Sequence, residues 1–154
     1  MDTSEEYILM CKKAKEIQKL WNHERGDFFV REKEYYRDTP FVIDFHKKIF
    51  NAHWFKKDEK FIWLPRQDQL QGIIIKLYED NTEKDDYQIR YKRELLNWMI
   101  NSFDSFVKQN VGKPYKSNDS YPDNLESMEQ LWLAFVMKEK YQKTWNGKDW
   151  EKNV

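Results

Sequence analysis

Five side chains able to bind a polar ligand fall within nine positions of one another: Trp63, Arg66, Gln67, Asp68 and Gln71. Arg and Gln read guanine and adenine edges through paired hydrogen bonds, and Trp offers a plane on which a base can stack. The same set suits a free nucleotide or a polar protein surface. Residues 61–71 read as an aromatic strand that passes through Pro65 into a helix, so these groups gather about one helix N-terminus. Free N–H groups there attract an anion. Asp68 opposes that use, because a carboxylate in the first turn is favoured by the helix dipole and serves as a cap. A structural account covers the same residues: Trp63 and Leu64 in the core, Pro65 starting the helix, and the amides solvated or bonded to a neighbouring hairpin.

Other chemistries find less support. His23, His46 and His53 lack the spacing of a helical zinc pair, and one cysteine cannot build a thiolate site, so no metal or cofactor is expected. Asp44 and His46 would share a strand face, which an exposed strand also explains. The four glycines, at 26, 72, 112 and 147, form neither a phosphate loop nor a dinucleotide fingerprint. Glu126 and Glu129 have half the E-x-x-E, E-x-x-D pattern of helical nucleotide pyrophosphatases, but no E-x-x-D follows. No G-x-S-x-G is present and Cys11 has no identifiable base. An enzymatic reading therefore has no catalytic residue behind it.

Lysine plus arginine equal aspartate plus glutamate at 27 each. The balance holds locally, with seven basic and eight acidic residues over 66–110 and seven of each over 111–154. No segment resembles the basic arm of a phosphate-binding protein, which ranks nucleic acid below the other partners. Only 40% of residues are apolar, yet 17% are aromatic, so a few large rings must build the core. Seven Trp and nine Tyr exceed what one small core encloses, which predicts exposed aromatics at a partner or homo-oligomer interface. The acidic N-terminus is no signal peptide, no apolar run approaches a membrane span, and Cys11 alone forms no internal disulfide. A cytoplasmic protein is expected.

The elements that position these groups predict a single α+β domain. An N-terminal helix over 1–22 starts at Thr3, where Thr3 and Glu6 have capping-box spacing. Tyr7, Met10, Cys11, Ala14, Ile17 and Trp21 form its stripe, which makes Cys11 a small buried hydrophobe. Residues 27–64 read as a small antiparallel β-meander, with strands at 27–31 and 41–46 and a hairpin of 49–55 with 60–64. Residues 32–37 fit either strand or helix. Two helices follow over 65–110. The first carries Leu70, Ile73, Ile74, Leu77 and Tyr78 on one face, with Gly72 predicting a close packing contact. The second, over 87–110, has so wide an apolar face that cover on more than one side is expected. A linker over 111–122 precedes a C-terminal helix over 123–146, capped by Asp123 with Glu126 and ended by Gly147.

The run 62–71, with Gly26-Asp27-Phe28 upstream and Glu129-Gln130-Leu131-Trp132 and Trp145-Asn146-Gly147 downstream, resembles small proteins encoded by bacteriophages and prophages of Gram-positive bacteria. That group brings no activity and no catalytic residues. The resemblance implies a phage context and a role in manipulating the host or its defences. The leading expectation is thus a non-enzymatic accessory protein that binds a host or phage protein. The alternative is a nucleotide-binding or nucleotide-acting protein using Trp63, Arg66, Gln67 and Gln71.

Overall fold

The computed structural model describes residues 1–31, 41–42, 60–81, 88–110 and 125–153. The fold is α+β: among the described residues, an N-terminal helical segment and a small antiparallel sheet are followed by three further helices and a short hairpin. Two compact units divide the chain, Met1–Arg66 and Gln67–Val154.

In the first unit, α1 (Glu5–Lys13) begins one residue later than the Thr3 cap predicts. Ser4 is the cap, its hydroxyl accepting from the Tyr7 N–H at 3.2 Å. The single helix expected over 1–22 is broken at Ala14, whose ψ of 67° leaves the helical region, and α2 (Lys15–Gln18) follows as a short turn. The break does not interrupt burial. Tyr7, Met10, Cys11, Ala14 and Ile17 are all inaccessible to solvent. Each such large apolar side chain contributes about 1.5–3 kcal/mol relative to exposure.

The sheet contains β1 (Phe28–Arg31), β2 (Phe41–Val42) and β3 (Phe61–Leu64). Its order is β2-β1-β3 and both pairings are antiparallel. A meander would place the second strand in the centre; here the first strand holds that position. Phe29 lies opposite Trp63, and so on the same face. Ile62, Trp63 and Leu64 are all buried, which means that both faces of β3 are covered. α1 packs against β3. The first arm of the expected hairpin, Trp54, residues 32–37 and the linker 111–122 lie outside the described residues.

The second unit is built about its last helix. α3 (Gln67–Asn81), α4 (Gln88–Asn110) and α5 (Met128–Tyr141) are followed by the hairpin β4 (Lys143–Trp145) and β5 (Trp150–Lys152). Trp132 to Met137, six consecutive residues, are buried on α5. At 100° per residue these sweep the whole circumference, so α5 is enclosed on every side, by α3, α4 and β4. α4 is the longest helix at 23 residues, but cover on more than one side does not hold: Leu95, Met99 and Phe106 are buried while Leu96 and Ile100 are exposed. Phe103 stacks on Trp132 at 4.0 Å and 2°, which joins α4 to α5.

The C-terminal helix is shorter than 123–146. Its cap is Ser127, which accepts from the Gln130 N–H at 3.1 Å, while the Gln130 side chain accepts from the Glu126 N–H. Box spacing is thus present four residues beyond Asp123, and Glu126 precedes the helix. Gln142, at φ 55°, ends the helix in the left-handed region, before Gly147 is reached. Gly147, at φ 90°, belongs instead to the hairpin turn, where Asn146 Oδ1 accepts from the N–H groups of Lys148 and Asp149. Trp150 folds back opposite Trp145, ring centroids 5.0 Å apart.

Candidate functional site

The junction after β3 divides between the units: Trp63 and Arg66 belong to the first, Gln67, Asp68 and Gln71 to the second. Trp63 is buried, its ring parallel to Trp21 at 6.3 Å and 1°. Its indole Nε1 is buried and has no hydrogen-bond partner among the described residues. The backbone of Trp63 is held by Gln18. Oε1 of that amide accepts from Trp63 N–H at 2.8 Å, and Nε2 donates to the Trp63 carbonyl at 2.9 Å and to that of Cys11 at 3.0 Å. A side chain thereby supplies the bonds that a further strand would give the free edge of β3. Pro65 precedes α3 rather than opening it, and its carbonyl accepts from the buried Tyr7 hydroxyl.

Arg66 is half-buried and reaches back to the loop before β1. Its guanidinium donates to the Gly26 carbonyl at 2.6 Å and stands 3.7 Å from Asp27 Oδ1. Asp27 is only 1% exposed. Its other oxygen accepts from Trp21 Nε1 at 2.8 Å and from the Glu24 N–H at 2.7 Å. A buried carboxylate is tolerable when so satisfied. Gly26, at φ 87°, supplies the left-handed turn that presents its carbonyl to Arg66. Trp21, Asp27 and Arg66 therefore form one knot, with Trp63 joined through the Trp21 stack. On α3, Gln67 and Gln71 are half-buried and Asp68 is exposed.

Cys11 lies fully buried, and burial pushes its thiol well above the usual range. It has the character of a small apolar side chain. No group of three or more metal-ligating side chains occurs among the described residues. No described helix is long and apolar enough to cross a membrane.

A second set of groups, which the sequence reading did not single out, lies in the second unit. An open groove of about 380 Å³ runs between α4 and α5. Trp98 and Phe106 contribute its apolar surface; Asn101, Ser102, Ser105 and Gln109 line it from α4, Lys138 and Glu139 from α5. Among the described residues, the side chains of Asn101, Ser105 and Gln109 make no hydrogen bonds. Lys138 stands 5.4 Å from the centroid of the Phe106 ring. The signal in the sequence was a run of neutral polar residues at i, i+4 and i+8 on one flank of α4. None of Trp63, Arg66, Gln67, Asp68 or Gln71 lines this groove.

No protein-family model, curated protein or solved structure matches the chain.

Proposed function

We propose that the protein is a non-enzymatic accessory protein that binds another protein, taking an extended segment of it into the groove between α4 and α5. The observation that carries this reading is the ladder Asn101, Ser105 and Gln109, exposed side chains that make no hydrogen bonds among the described residues. Residues four apart on a helix rise about 6 Å, close to the ~6.8 Å between alternate residues of an extended chain. Each rung can therefore meet a backbone N–H or C=O of the same segment. The groove offers one cation, Lys138, and one anion, Glu139, a balance that favours a neutral peptide backbone over a polyphosphate. Trp98 supplies an apolar contact for a side chain of the segment. The resemblance to phage-encoded proteins supports a host or phage protein as the partner, in the cytoplasm of an infected host, with modulation of host defence as the setting.

Selection from a random peptide library displayed against the full chain tests this reading. Peptides should be enriched, and Ser105→Trp, which fills the groove from an exposed position, should weaken them at least tenfold. Failure to enrich any peptide, or peptides indifferent to Ser105→Trp, would overturn it. Thermal stabilisation by a mono-, di- or cyclic nucleotide would favour the Trp63–Gln71 junction instead; a ligand at 100 times its Kd adds about 2.7 kcal/mol.

A further inference from the structure

We propose that a second copy of this chain docks on the outer flank of α4, in an antiparallel two-fold arrangement centred at the height of position 98 along the helix. Leu96, Ile100, Phe103 and Val107 recur at intervals of four, three and four residues, the spacing of a seam that packs against another helix. Phe103 is committed inward to its stack on Trp132. Leu96 and Ile100 are not: they are 46% and 59% exposed. The other large exposed apolar residues among those described, Met1, Leu20 and Met128, stand singly. Single exposed apolar residues are ordinary, whereas two adjoining on one helical face form a patch.

Charge selects a second copy as the occupant. Arg93 and Asp104, both exposed, flank the patch on one side. They lie about 16 Å apart along the helix and within about 20° of one another around it, too distant to pair within one copy. The apolar pair and the charged pair are both centred on Trp98 to within half a residue. A two-fold axis there sets Leu96 against Ile100 of the partner subunit and Arg93 near Asp104 of the partner subunit. Each contact then occurs twice, as a self-complementary interface requires. A parallel arrangement would instead carry the charged flanks of the two copies to opposite sides of the seam, out of reach of one another. Asp104 already accepts from Lys108 at 2.6 Å, an exposed bond that leaves its other oxygen available. The groove lies on the opposite flank of α4, so pairing leaves it open, and the inference is independent of the peptide reading.

Sedimentation of the full chain over a range of concentrations tests the proposal. The average mass should rise reversibly toward two copies, and less steeply at high salt. Ile100→Glu should abolish the rise. Arg93→Asp and Asp104→Arg, each of which creates two like-charge confrontations, should each weaken pairing at least tenfold. An equimolar mixture of those two variants should restore it, because every introduced charge then faces its opposite. A chain monomeric into the millimolar range, or a mixture no more associated than its two components, would overturn the proposal.

Discussion

The amide of Gln18 brackets the backbone of Trp63, accepting from its N–H at 2.8 Å and donating to its carbonyl at 2.9 Å. One side chain thus completes the edge of β3, which β1 pairs on the other side. Gln18→Ala should cost about 1–3 kcal/mol, the sum of two or three ordinary hydrogen bonds. Gln18→Glu should cost more at neutral pH, because a carboxylate then faces the carbonyls of Trp63 and Cys11 and cannot donate. Urea titration of the three proteins checks both the loss and the order. Equal stability for all three would remove the clamp from the account of the fold.

Asp27 is the second structural dependency of the first unit. Its Oδ2 accepts from Trp21 and from the Glu24 backbone, and its Oδ1 faces Arg66. Hydrogen bonds to a charged group contribute about 1.5–3 kcal/mol each, so Asp27→Ala should destabilise by at least about 2 kcal/mol. Arg66→Ala should cost less, since the guanidinium is partly exposed and its separation from Asp27 is 3.7 Å. Thermal unfolding of the two variants gives the order. An Arg66→Ala loss exceeding that of Asp27→Ala would make Arg66 the organiser of the knot.

Periodicity made the helices and their buried faces legible, because burial selects for it directly. The stripe of α1 and the buried pair Leu70 and Ile74 of α3 stand where spacing puts them. Caps were less legible. Thr3 and Asp123 have the right chemistry, but Ser4 and Ser127, offering the same oxygen a few residues away, hold the position. The C-terminal hairpin was hidden by a coincidence of spacing: Tyr141 and Trp145 are four apart, so a strand residue passed for the next turn of a helix. Asn146-Gly147 was the signal of a turn between strands. Among the described tryptophans none is fully exposed. Trp63, Trp132, Trp145 and Trp150 are buried, and Trp21 and Trp98 half-buried. At Arg66 the sequence shows the charge but conceals the tie to Gly26, forty positions away.

Cys11 should be chemically silent in the folded protein. It is fully buried on α1, and burial raises its thiol far above neutral pH, so little thiolate exists there to attack a reagent. Labelling with a disulfide reagent should therefore proceed at the rate of opening of the first unit and accelerate with urea. Fast, stoichiometric labelling of the native chain would show that α1 separates readily from the sheet.

Gly72 offers the opposite kind of test, a position where the native residue weakens the fold. A glycine within a helix suggests close approach of another backbone, yet Gly72 is exposed, and a Cβ built on it meets nothing within 4 Å among the described residues. Its φ is not in the left-handed region, so an L side chain adds no strain. Glycine costs a helix interior about 0.8–1 kcal/mol relative to alanine, through the backbone entropy lost on folding. Gly72→Ala should therefore stabilise the chain by about 0.5–1 kcal/mol, read as a higher urea midpoint at unchanged slope. A destabilised variant would mean that α3 has a neighbour at this face in solution. Partner binding would then be the first place to look, because a surface kept free of a Cβ at such a cost suits close docking.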